Sequence, residues 1–81
     1  MHTTIRFKIR KEVDALTARK ILKLKGGLVA SSYTDIIHFD DEEEEFYIHY
    51  FQVPDVKRSE AESFIKEFTE ANSIRDIIIV I

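Results

Sequence analysis

Two histidines, His38 and His49, stand on either side of six consecutive carboxylates, residues 40–45, in the stretch HFDDEEEEFYIHYF. Imidazole together with carboxylate suits Zn²⁺ or a similar divalent ion. If the flanking segments form a hairpin, the two histidines fall opposite each other and their side chains meet. His38, His49 and Asp40 are then a candidate metal set. It is a sparse one, and an ordinary cross-strand pair of histidines satisfies the same pattern. Two histidines that close also repel when both are protonated, which offers a response to pH. The acid run lacks the spaced D-x-D-x-D-G turn that wraps calcium. As a single knot at a hairpin tip, it does not spread charge along a surface as a mimic of the DNA backbone would. Its economical role is that of a gatekeeper, in which like-charge repulsion keeps two aromatic-rich strands from aggregating.

The remaining chemistry-bearing residues point away from catalysis. There is no cysteine, so neither a thiolate nucleophile nor a disulfide is available. No Gly-rich phosphate loop and no Ser or Thr in a nucleophile elbow occurs. Gly26-Gly27 is the only glycine pair and reads as the stop of a helix. We therefore expect a non-enzymatic protein without a cofactor.

Charge is divided unevenly. Residues 1–30 carry eight Lys/Arg against two acids, and residues 31–81 carry four against thirteen, which gives the net −3. Such asymmetry points to complementary surfaces or an oppositely charged partner, although two solvated faces produce the same count. The longest apolar run, IIIVI, is too short to span a membrane. The start, MHTTIRFKIRKE, has no apolar core of a signal peptide. A soluble cytoplasmic protein is the expectation.

The elements that must position these residues follow from periodicity. Residues 4–9 alternate, with Ile5, Phe7 and Ile9 on one side and Arg6, Lys8 and Arg10 on the other, as a half-buried strand does. Asp14 is placed to cap a helix over residues 15–25 that ends at Gly26-Gly27, with Val13, Leu16, Ile21, Leu24 and Leu28 on its apolar side. Two strands, 33–39 and 46–53, flank the acid run, and Pro54 ends the second. Ser59 and Glu62 have the spacing of a capping box. Behind them Ala61, Phe64, Ile65, Phe68 and Ala71 form a helix face, Glu62 and Lys66 an i, i+4 pair, and Asn72 a left-handed stop. Residues 74–81 make the last strand. The order β-α-β-β-α-β, with short connections, predicts a single α+β domain over residues 1–81. Its expected form is a four-stranded antiparallel sheet with both helices on one face, the ferredoxin-like split βαβ arrangement.

Within that arrangement the hairpin has two side-chain sets. With a loop of even length, Ile37, Phe39, Phe46, Ile48 and Tyr50 share one face, and Ile36, His38, Tyr47, His49 and Phe51 share the other. The first set makes the better core. The second then joins Arg6, Lys8 and Arg10 on the uncovered side of the sheet as a basic and aromatic platform. Such a platform can stack bases and neutralise phosphates, and the layout resembles that of RNA-recognition-motif domains. The resemblance is one of architecture, since EEFYIHYF lacks the basic-Gly-aromatic pattern those domains carry on the third strand. Acylphosphatases share the architecture too, but "RKEVDALT" has no glycine-bearing anion loop; heavy-metal-binding relatives need a CxxC there, and ACT-type ligand sensors a glycine.

The last strand is apolar on both sides after Asp76, which predicts that a second chain covers the open face. The functional expectation is a small protein-interaction or regulatory module that binds through Arg6, Lys8, Arg10, Ile36, His38, Tyr47, His49 and Phe51. A homodimer is its simplest form. The alternative is single-stranded nucleic-acid binding on the same face.

Overall fold

The computed structural model describes all 81 residues, Met1–Ile81. The chain runs β1 (His2–Arg10), α1 (Ala15–Ala30), β2 (His38–Asp40), β3 (Phe46–Pro54), α2 (Arg58–Ala71) and β4 (Ile78–Val80). The four strands form one antiparallel sheet in the spatial order β2-β3-β1-β4, the ferredoxin-like split βαβ arrangement that the pattern predicts. Ile5, Phe7 and Ile9 of β1 are buried in one cluster with Ile21, Leu24 and Leu28 of α1 and Ala61 and Ile65 of α2. Both helices therefore cover the same side of the sheet. No helix is long and apolar enough to cross a membrane.

Asp14 caps α1 as its position implies. Its side chain accepts a 2.7 Å hydrogen bond from the Thr17 backbone N–H, which holds the carboxyl below its ordinary pKa. The helix does not stop at Gly26-Gly27, however. It continues to Ala30, and the left-handed residue that ends it is Ser32, at φ 62°. Gly27 is needed for packing rather than for a turn. A Cβ built on it would lie 2.7 Å from Cζ of Phe64, so the missing side chain lets the α2 aromatic lie against the α1 backbone. Leu16, expected on the apolar side, is exposed.

Further expectations are corrected. β2 comprises three residues rather than 33–39, because Thr34 Oγ1 hydrogen-bonds to the backbone of Ile36 and holds that segment in a turn. Ser59 does not cap α2; a 3₁₀ turn, Asp55–Lys57, leads into the helix, and Glu62 accepts from Arg58 at 2.8 Å instead of pairing with Lys66. Asn72 is not the left-handed stop, which falls on Ser73 at φ 57°, while the Asn72 side chain donates to the Phe68 carbonyl at 2.9 Å. The Asn72 carbonyl in turn accepts from Lys20 Nζ at 2.8 Å and ties the end of α2 to α1. Residues 74–77 form a turn closed by Ile77 N–H to the Ile74 carbonyl, so β4 starts later than expected.

Alanine at the two glycines separates helix propensity from packing. Gly26→Ala meets open space and should gain about 0.5–1 kcal/mol. Gly27→Ala has the same gain but must displace the Phe64 ring, an overpacking cost of about 1–3 kcal/mol. In urea unfolding, the first midpoint should rise and the second stay level or fall. Equal midpoints would show that the ring yields freely.

Candidate functional site

The side of the sheet that no helix covers is built by the even-numbered residues of β1 and β3. Arg6 lies opposite Tyr50, Lys8 opposite Ile48 and Arg10 opposite Phe46. β2 extends two of these rows with His38 beside Tyr50 and Asp40 beside Ile48, and β4 places Ile79 beside Lys8. The His38 and Tyr50 rings stack at a centroid distance of 5.1 Å. Lys8 Nζ stands 4.5 Å over the Phe46 ring, with the Arg10 guanidinium 5.7 Å from the same ring. The ion pairs of the protein are Lys11–Asp41 and Arg58–Glu62, so Arg6, Lys8 and Arg10 face solvent with no carboxylate partner. Along one edge, Arg6, Ile36, His38 and Tyr50 line a groove of about 580 Å³ between the sheet and the loop that precedes β2.

Five of the residues assigned to this face from the sequence are therefore on it or at its rim: Arg6, Lys8, Arg10, Ile36 and His38. Tyr47, His49 and Phe51 are not. They point to the helix side, where Phe51 is fully buried and packs edge-on against Phe7 at 6.3 Å. The cause is the strand register, which pairs Ile5 with Phe51, Phe7 with His49 and Ile9 with Tyr47. Pairing of His38 with Tyr50, Phe39 with His49 and Asp40 with Ile48 encloses an odd number of loop residues, not an even one. At the start of that loop Asp40 accepts a hydrogen bond from the Glu42 backbone N–H at 2.9 Å. Phe46, Ile48 and Tyr50, expected in the core, take the vacated places on the open face. The signal that carries the correct parity is Gln52. A polar residue between Phe51 and Val53, both buried, marks the odd residues as the inward set.

The same parity dissolves the candidate metal set. His38 and His49 lie on opposite sides of the sheet, and no cluster of three or more His, Asp or Glu side chains is arranged to hold an ion. The acid run is tethered rather than free. Lys11 pairs with Asp41, and the Lys11 N–H donates to the Glu45 carbonyl at 2.9 Å, while residues 41–45 stay exposed.

On the helix side, His49 is only 3 % exposed and lies between two rings, Phe7 at 5.3 Å and Phe39 at 5.9 Å. Its Nδ1 is buried without a hydrogen-bond partner. Burial, with the Lys25 charge adding to it, lowers its pKa from 6.5 to about 4, so the ring is neutral at pH 7. Burial likewise pushes the Lys25 ammonium below its ordinary value. Tyr47, half-buried, meets Phe39 edge-on at 5.9 Å and has Lys11 Nζ 5.1 Å from its ring. No family model, curated protein or solved structure matches the chain.

A histidine kept neutral by the fold favours the folded state above its unfolded pKa. As pH falls from 6.5 to about 4, the unfolded chain takes up a proton that the fold does not accept, so stability is lost across that window. Urea midpoints of the native protein should show a downward slope there that His49→Phe lacks. Parallel curves would refute the buried neutral histidine.

Proposed function

We propose that this protein is a small non-enzymatic interaction module whose open sheet face docks against a second copy of itself. The observation that carries the reading is the composition of that face: three cations without partners, Arg6, Lys8 and Arg10, set among Phe46, Ile48, Tyr50 and Ile79. Ile79 is 40 % exposed and Ile81 64 %, both at the β4 edge. Covering an apolar side chain of this size completely contributes about 1.5–3 kcal/mol. A two-layer body 36 × 28 × 18 Å offers a broad face, sufficient for the roughly 800 Å² that each partner gives to a stable interface. The exposed carboxylates at residues 41–45 supply, from the other copy, the negative charge that the cations lack. Closed two-fold association satisfies both copies at once.

Nucleic-acid binding uses the same cations but also needs free aromatic faces. Phe46 already carries Lys8, and Tyr50 already stacks on His38. Protein is therefore the favoured occupant.

Sedimentation velocity across protein concentration, at low and high salt, tests the reading. A dimer is expected. Ile79→Asp should shift it to monomer, and neutralising Glu42 to Glu45 as glutamines should weaken it most at low salt. A native protein that stays monomeric overturns the proposal. So does binding of single-stranded RNA whose salt dependence flattens with Lys8→Ala, the signature of a lost phosphate contact.

A further inference from the structure

The opposite side of the molecule carries a second feature that sheet-face docking does not use. Between α1 and the β2–β3 end of the sheet lies a cleft of about 380 Å³, walled by Ile9, Val13, Ile21, Leu22, Phe39 and Tyr47. β2 is the edge strand on this side and is only three residues long, so this corner of the sheet lacks the cover that the core enjoys. Leu22 is 67 % exposed and Phe39 62 %, two large apolar side chains left wet beside the same opening. Its size falls within the range of small-molecule sites, roughly 300–1,000 Å³.

The polar lining is one-sided. Arg10, Lys11 and Lys25 contribute to it and no carboxylate does, in a chain whose acids outnumber its bases 15 to 12. Lys11 is neutralised by Asp41, and Arg10 reaches toward the Phe46 ring on the other face of the sheet. Lys25 has no ion-pair partner. His49 completes the lining, and its buried Nδ1 has no partner either. A buried nitrogen left unpaired is a cost that native structures rarely carry without reason. Protonated at Nδ1, the neutral imidazole offers there a donor that no group of the protein uses.

We propose that this cleft binds a small amphipathic carboxylate, an aryl or medium-chain alkyl acid, with its apolar body against Leu22, Phe39 and Tyr47 and its carboxylate held by Lys25 and His49. Each alternative chemistry leaves something unsatisfied. A cation meets Lys25. A neutral hydrocarbon fills the walls but desolvates the ammonium and the imidazole further. Inorganic phosphate pairs with Lys25 and leaves the apolar walls wet. An acid with an apolar tail meets both demands, and a charge-assisted hydrogen bond is the stronger kind.

The test is an NMR titration of the intact protein with octanoate and phenylacetate, with 1-octanol and inorganic phosphate as controls. Saturable shifts at Leu22, Lys25, Phe39 and His49 are expected with one or both acids, and the responding acid tells an alkyl from an aryl ligand. A change in the His49 ring-nitrogen resonance should accompany them, one that 1-octanol does not produce. Lys25→Met keeps the stem and removes the charge, and should weaken binding about ten-fold; His49→Phe keeps the ring stack and should weaken it by a similar factor. Both variants are checked for native spectra first. The inference is overturned if neither acid saturates, if 1-octanol or phosphate binds as tightly, or if the shifts fall on Arg6, Lys8 and Tyr50 instead. Failure here leaves the sheet-face reading untouched, because Lys25, His49, Leu22 and Phe39, which the test reads, are not on the open face.

Discussion

Nine residues of β1 lie against nine of β3, and the parity of that pairing decides which side of the sheet every side chain takes. Ile5 opposite Phe51 and Phe7 opposite His49 face the helices; Arg6 opposite Tyr50 and Lys8 opposite Ile48 face away. A slip of one residue would carry Arg6 and Lys8 against the helices or Phe51 into water. Removing Phe51 from the core would cost roughly 3–5 kcal/mol, a large part of what a domain of this size has in reserve. The register is thus fixed by the central strands, and the shorter edge strands β2 and β4 follow it.

Much of this was legible in the residues. The alternation of Ile5, Phe7 and Ile9 with Arg6, Lys8 and Arg10 places β1 correctly, Asp14 caps where a cap is expected, and the β-α-β-β-α-β order leads to the observed sheet. The β3 faces were not legible from the hairpin alone. Residues 46–51 are apolar, aromatic or histidine at every position, so neither parity is penalised until Gln52 breaks the run. Loop length does not settle it, because a run of six carboxylates carries no glycine or proline to fix the turn. The nine-residue pairing with β1 settles it instead. Gly26-Gly27 misleads for a related reason. The pair has the form of a stop, yet Gly27 serves the close approach of Phe64, which no local pattern reveals.

The corrected parity alters the platform without removing it. Tyr47 and Phe51 leave the open face, and Phe46 and Tyr50 arrive, so aromatics still stand among the same three cations. What changes is their availability. Lys8 and Arg10 lie over Phe46, and His38 over Tyr50, so the rings are engaged within the chain and hold the cations in place. A surface organised in this way offers fixed positive charges rather than free stacking planes.

His49 is where the parity acts most directly on chemistry. On the open face it would be an ordinary solvated histidine with a neighbour to pair with. On the helix side it is stacked between Phe7 and Phe39 with one nitrogen unmatched, and the Lys25 charge adds to burial in keeping it neutral. A phenylalanine at this position would keep the rings stacked and remove the unmatched nitrogen, so packing alone does not account for histidine. The polar atom costs stability and gives nothing back inside the protein as it stands. A group that supplied negative charge from within the neighbouring cleft would give the buried imidazole and the Lys25 ammonium a shared binding contact.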